Sequence, residues 1–299
     1  MKQALGYLAI LCVASVSTAA GAQSDFDKVE ITAQEIRPGV AVLFGEGGNI
    51  GVSYGTDGTA IIDDQFAPLS EKIRAAIAKL GAKPVKYVVN THWHFDHAGG
   101  NVEFGKAGAT IVAHDAVRMR LAKGGKVAGR DIPPDSREAL PVVTYDQGIK
   151  LHLNGDTIDI RFFGGGHTDG DSVVYWRKAN VLHTGDLFMH RLGYPFIDTA
   201  SGGSIDHFLI SLGQVLAMID DETVIIPGHG KLATRAALLA FRNMIATATE
   251  RIRAMKDSGA TLEEAKARNP IAGLRTTQGF IGDQQFIESV WSSLDAHGH

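Results

Sequence analysis

Thr91-His92-Trp93-His94-Phe95-Asp96-His97 follows directly on the apolar run Val85 to Val89, and its reading decides the fold. His92, His94, Asp96 and His97 are imidazole and carboxylate donors, a set that suits zinc. With 12 His among 299 residues, an HxHxDH pattern arises by chance in roughly one such chain in a thousand. Three later segments supply donors of the same kind: His167 in GGGHTDGD, Asp186 in LHTGDLF and His229 in IIPGHG. Each sits in a Gly-rich or strand-end context, from which a side chain can project off a rigid edge into a cleft. His114, His152, His207, His297 and His299 have no ligand-type spacing and read as core or surface residues.

The seven donors divide between two zinc ions. His92 and His94, two apart on an extended loop, point the same way, and His167 completes a three-histidine site with a fourth position open for water. Asp96, His97 and His229 face a second ion, and Asp186 can bridge the two. Dications about 3.5–4 Å apart repel, so Asp96, Asp186 and a hydroxide would reduce that repulsion. The expected product is a nucleophile: a shared water that loses a proton near neutral pH, is oriented by Asp96 as the catalytic carboxylate, and attacks a polarised carbonyl. Amide, thioester, lactone and phosphoester chemistry all fit this site.

Outward from the motif, Val40 to Phe44, Gly48 to Tyr54 and Thr59 to Asp63 read as an antiparallel meander, and Ala67 to Leu80 as a helix with Leu69, Ile73, Ile77 and Leu80 on one face. The second half repeats the plan. Strands at Thr157 to Phe162, Ser172 to Trp176 and Asn180 to His183 precede a helix over Ile205 to Met218, then a strand over Val224 to Ile226 that ends at Pro227, Gly228 and His229. A duplicated unit of this kind predicts an α/β fold, an αββα four-layer sandwich of two mixed sheets with outer helices, its ligand loops meeting at one rim. Beyond it, Leu232 to Met255, a short helix capped by Thr261 with Glu264 three residues on, and Asp283 to His297 read as further helices. Residues 231–297 are expected to belong to the outer layer of a single hydrolase domain spanning 23–299.

Residues 1–22 carry Lys2, an apolar stretch from Ala4 to Ala14 and the small residues Ala20, Gly21 and Ala22, the pattern of a signal peptide cleaved after Ala22. A periplasmic or secreted protein is expected, with no stable membrane insertion after cleavage. Cys12, the one cysteine, lies in that leader, so the mature chain would hold metal with nitrogen and oxygen alone. The net charge of −4 and the lack of a basic stripe argue against nucleic acid and for a small-molecule acyl substrate.

The four segments, their order and the strand pattern from about Val40 to Gly230 resemble the metallo-β-lactamase superfamily, in which HxHxDH, a later His, a bridging Asp and a final His form a dinuclear site. GNIGVSYGTDGTAIIDDQF resembles the opening meander of that family and implies that Asp63 steadies the metal loop from behind. GGGHTDGDSVVYW is similar to the same segment of zinc β-lactamases. Asp186, however, stands where one β-lactamase subclass has Cys and another Ser, and Met189 stands where a lysine would bind the drug carboxylate. Asp at this place resembles glyoxalase II and related thioester hydrolases. The resemblance therefore implies an exported dinuclear zinc hydrolase with β-lactamase-type amide hydrolysis, with thioester or lactone hydrolysis as the alternative. A metal-binding protein without catalysis is a third reading, disfavoured because a carrier needs no bridging carboxylate. The loop from Phe188 to Ser204 follows Asp186 and is expected to lie over the rim, with His190, Arg191 and Tyr194 as candidate substrate contacts.

Overall fold

A computed structural model describes residues 26–296. The leader expected over 1–22, Cys12, His297 and His299 lie outside the described residues. In chain order the strands are β1 (Thr32–Arg37), β2 (Val40–Phe44), β3 (Ile50–Gly55), β4 (Gly58–Ile62), β5 (Val85–Val89), β6 (Thr110–His114), β7 (Gly125–Val127), β8 (Arg130–Ile132), β9 (Val143–Tyr145), β10 (Gly148–Leu153), β11 (Asp156–Phe162), β12 (Ser172–Trp176), β13 (Val181–His183) and β14 (Val224–Ile226). The α-helices are α1 (Ser70–Lys79), α2 (Phe95–Ala98), α3 (Asn101–Lys106), α4 (Asp115–Lys123), α5 (Ile205–Met218), α6 (Arg235–Asp257), α7 (Leu262–Arg268) and α8 (Asp283–Ala296).

Two sheets result, ordered β1-β2-β3-β4-β5-β6-β9 and β10-β11-β12-β13-β14, with β7 and β8 forming a separate hairpin. Both sheets are mixed. In the first, β1 to β4 are antiparallel and β5 joins β4 in parallel after the α1 crossover. In the second, β10 to β13 are antiparallel and β14 joins β13 in parallel after α5. A parallel partner needs a long crossover, and a helix supplies it in each half. Each ligand loop at residues 91–97 and 227–229 leaves the end of such a parallel strand.

The central strands are buried on both faces, which is why they read as unbroken apolar runs. Along β2, Val40 and Val42 point to the second sheet, while Ala41 and Leu43 point to α1 and α3. Along β12, Val174 and Trp176 face the first sheet, and Val173 and Tyr175 pack under α5, α6 and α8. Period-two alternation thus divides the apolar residues between a core at the centre of the sandwich and cores on its two outer sides, and yields the α-β-β-α layering. The helices after residue 231 join the outermost of these cores through Leu238, Phe241, Phe286 and Val290.

Several boundaries differ from expectation for local reasons. Pro68 starts a tight 3-10 turn over Ala67–Leu69, so α1 begins only at Ser70. Thr234 caps α6 by accepting from the Ala237 N–H, which moves its start from 232 to 235. The capping box of Thr261 and Glu264 is present. The metal motif is not loop throughout: after His94 the chain turns into α2, so Asp96 and His97 lie on a helical turn.

Candidate metal centre

Trp93 is the pivot of the motif. His94 lines the cleft, His92 lies beneath it against the rings of His94, His97 and His167, and the indole between them is buried against Ala113, Val117, Leu121 and Val127. Truncating so buried a ring typically costs about 3–5 kcal/mol, so the two histidines ride on a firm anchor. Asp63 fixes the loop at both ends. Its carboxylate accepts from the Thr91 N–H at 2.7 Å and the Thr91 hydroxyl at 2.8 Å, and lies 2.7 Å from His97 Nδ1. Asp63 holds this position with φ at +63°, a left-handed conformation costly for a non-glycine residue and here tied to its three contacts.

The remaining donors arrive from the second sheet. Gly166 brings its backbone so close to α5 that a Cβ would sit 2.5 Å from Phe208 Cα, and the next residue, His167, points Nδ1 at the Phe196 carbonyl at 2.6 Å. Asp186 lies in the turn after β13. Gly228 passes directly over it, where a Cβ would meet Asp186 Oδ1 at 1.8 Å, so no larger residue can precede His229. Asn49 locks that loop by donating from its amide to the Pro227 and Gly230 carbonyls, both at 2.8 Å.

All seven expected donors converge. Donor atoms of His92, His94 and His167 lie within 4.8 Å of one another, as do those of Asp96, His97 and His229, and those of His92, His97 and Asp186. Asp186 reaches both trios. Its Oδ2 lies 3.9 Å from His92 Nε2, 3.7 Å from His167 Nε2 and 3.6 Å from His229 Nε2, and its Oδ1 lies 3.2 Å from His97 Nε2.

The ring orientations fit metal ions. His92 Nδ1 is bonded to Thr91, which leaves Nε2 buried without a hydrogen bond and aimed inward. His94 Nε2 contacts Asp198 at 3.0 Å, turning Nδ1 to within 2.9 Å of His167 Nε2. His97 and His229 likewise bring Nε2 atoms to 3.2 Å. Nitrogens this close need a cation or proton between them, and the trios offer nitrogen and carboxylate oxygen, the ligands of zinc. Outer partners on the distal ring nitrogens are the usual support of metal-binding histidines.

Charge separates the trios. Burial holds the His92 ring well below its ordinary pKa and His167 down to about 4, so both are neutral, the form that binds metal. Burial also pulls the His97 ring down, but Asp186, Asp96 and Asp63 outweigh it and raise it well above the usual value. His229 is raised too, by Asp186 and Asp96 against its burial. Burial pushes the Asp96 carboxyl up, yet His97 and His229 outweigh it and hold it at about 2. Asp186 is held well below the carboxylate range, mainly by His97 and His229.

A cleft of about 660 Å³ opens above the donors. The 188–204 loop borders it, but through Met189, Phe196, Ile197, Asp198, Thr199 and Ala200. The three residues expected to meet substrate do not line it. His190 is drawn away by backbone pairing with His229, its Nδ1 turned to the Lys231 carbonyl at 2.9 Å. Arg191 is exposed on the outer side of the turn, with φ at +62°. Tyr194 is fully buried, its ring stacked on Phe286 at 4.4 Å, because α8 covers this part of the loop. Two residues that position the site escape sequence reasoning: Asn49 and Asp198. Asn49 opens a strand as GNIG, and Asp198 sits in a Gly/Ser-rich loop, with no spacing that marks either.

The family model described as the metallo-beta-lactamase superfamily matches residues 44–229. A Mycobacterium tuberculosis protein of uncharacterised function is 31% identical over 200 residues, 62% of this chain and 86% of its own. A hydroxyacylglutathione hydrolase from Polaromonas sp. is 26% identical over 54% of this chain and 55% of its own, and the metallo-beta-lactamase IND-1 of Chryseobacterium indologenes is 27% identical over 53% and 61%. Among solved structures, a metallo-beta-lactamase from Pontibacter korlensis superposes with a TM-score of 0.59 at 20% identity, covering 73% of this chain and 99% of that one, a likeness of fold. On the match over residues 44–229, which carries all seven donors, the chain belongs to the metallo-beta-lactamase superfamily.

Proposed function

We propose that this chain is an exported dinuclear zinc hydrolase of a small acyl substrate. The observation that carries the reading is the reach of Asp186 from one trio to the other. His92, His94 and His167 would hold one ion, Asp96, His97 and His229 the other, and Asp186 would serve both. Zinc, when bound, supplies a water of lowered pKa and a Lewis-acidic pole for a carbonyl. Asp96 is a carboxylate at neutral pH and stands at the cleft surface, with its side chain 22% exposed, where its oxygen can accept a hydrogen bond from an incoming water and orient it. Water adds to the carbonyl carbon, the acyl bond breaks, and a proton of the water ends on the leaving group, during departure for an amide nitrogen or after it for a thiolate, while an acid remains.

Of the amide, thioester and lactone bonds left open, a thioester is the reading best supported in this cleft. Met189 lines it where a drug-binding cation would stand, and a thiolate leaves without the protonation that an amide nitrogen needs. The β-lactam reading draws support from the likeness to IND-1. Thioester and lactone turnover beside a nitrocefin assay on zinc-loaded protein tests the choice. Nitrocefin turnover alone would reverse it, and hydrolysis of none of these would remove the hydrolase. Metal analysis should return about two zinc ions per chain. Export of a 23–299 domain rests on the character of residues 1–22, and a secreted product whose first residue is Met1 would refute it.

A further inference from the structure

Phe280 is a large side chain left 66% exposed, yet its ring stands edge-on to His229 with centroids 5.6 Å apart. Among the described residues, the other exposed large hydrophobics, Met119, Val142, Ile210 and Leu239, do not line the cleft, whereas Phe280 does. Phe196 takes the matching place beside the other trio, 6.2 Å from the His94 ring and 6.0 Å from His167. One aromatic surface therefore flanks each half of the donor set.

The backbone under Phe280 is held hard. A Cβ on Gly279 would fall 1.5 Å from the Leu192 carbonyl oxygen, so the segment is pressed against the 188–204 loop. Ile281 forms an antiparallel bridge with Tyr194, the Tyr194 ring stacks on Phe286, and Arg275 pairs with Asp283 at 2.6 Å. A segment fixed by buried neighbours that leaves one phenyl ring open over a cleft presents a surface for something else to cover.

Charge narrows what that is. Outside the seven donors, the described lining residues that carry charge are Lys126, Asp198 and Glu288. Lys126 is engaged with Asp131, Asp198 with His94 and Ser201, and Glu288 with Lys266. A carboxylate arm would find no fixed cation among these side chains, since Lys126 is 64% exposed and pairs with Asp131 only at the surface, and recognition of a carboxylate calls for a fixed cation.

We propose that the segment from Gly279 into α8 is the specificity wall of the cleft, and that it selects uncharged esters or thioesters whose apolar acyl arm lies across Phe280 and Phe196. This rests on the hydrolase reading above and adds to it the class of acyl group. Phe280 is a specificity-determining residue that touches the arm.

The test uses zinc-loaded protein and two readouts. The first is kcat/KM for phenyl esters from acetyl to octanoyl, with the phenyl hemiesters of dicarboxylic acids of equal length. The second is calorimetric binding of methyl ketones from butanone to decanone, which are not hydrolysed. Both should strengthen by about fourfold per buried methylene until the wall is covered. Hemiesters should fall at least tenfold below their neutral counterparts. Phe280→Ala should reduce the long-to-short ratio at least tenfold in both readouts, and Phe280→Lys should shift preference toward the hemiesters. A ratio unchanged in both variants, or hemiesters preferred by the unaltered protein, would overturn the proposal. Length-dependent ketone binding that Phe280→Ala abolishes, with no ester cleaved, would support the wall and refute the hydrolase; ester cleavage with length-independent binding would do the reverse.

Discussion

The His92–His94–His167 trio and the Asp96–His97–His229 trio share one cleft and one bridging neighbour, but they meet a metal in different states. The first is sealed, with its side chains at most 5% exposed, and its His92 and His167 rings are kept neutral by burial. The second is more open, contains a carboxylate, and holds His97 and His229 toward the protonated form. Rings on which burial outweighs the neighbouring carboxylates make a ready metal cage, whereas rings on which the carboxylates outweigh burial must give up protons first. Asp186 weighs most on His97 and His229, and Asp96 and Asp63, which act on this side only, add to it.

Removing the shared neighbour should have the largest effect. Asp186→Ala takes a donor from both trios and leaves their charges facing each other, so kcat/KM should fall roughly a thousandfold or more, the several kcal/mol that a metal's charge supplies. Zinc content per chain should fall with it. A variant that keeps both ions and full activity would end the idea of a bridge.

The outer carboxylates should divide the two trios. Asp63→Asn weakens support for His97, and Asp198→Asn weakens support for His94, each by about 10–100-fold in metal affinity or activity. Stepwise zinc titration should show the loss in different binding steps. Equal losses in both steps from either variant would mean that the trios are not separable.

The smallest effect is the pH slope. In the metal-free protein the raised pKa of His97 means that zinc must displace a proton at neutral pH, so affinity at the second trio should climb as pH rises, by up to about tenfold per unit for each proton released. At the first trio, the His167 ring, held at about 4, already lacks a proton at neutral pH, and its share of the slope should be nearly flat. Calorimetry in buffers of different ionisation enthalpy counts the protons. A steeper slope at the first trio would contradict the assignment.

Much of this was legible from residue order. Val85–Val89, Ser172–Trp176, Ile205–Met218 and Val224–Ile226 coincide with β5, β12, α5 and β14, because largely apolar strands and a long amphipathic helix carry strong patterns. The donors were legible because metal binding restricts residue type and spacing together. Between Gly99 and Asp156, α3, with six residues, and β7, β8 and β9, with three each, were not, being too short for periodicity to register. Tyr194 shows the other limit. A Gly-rich loop suggests exposure, but contact with Phe286, far along the chain, buries the ring. Asp198 was hidden for the same reason, as its partner His94 lies 104 residues away.

Anomalous diffraction at the zinc edge from crystals grown with zinc tests the central claim most directly. Two peaks about 3.5–4 Å apart are predicted, one within each trio, with Asp186 oxygens in reach of both. A single peak, or zinc bound away from these seven side chains, would contradict it.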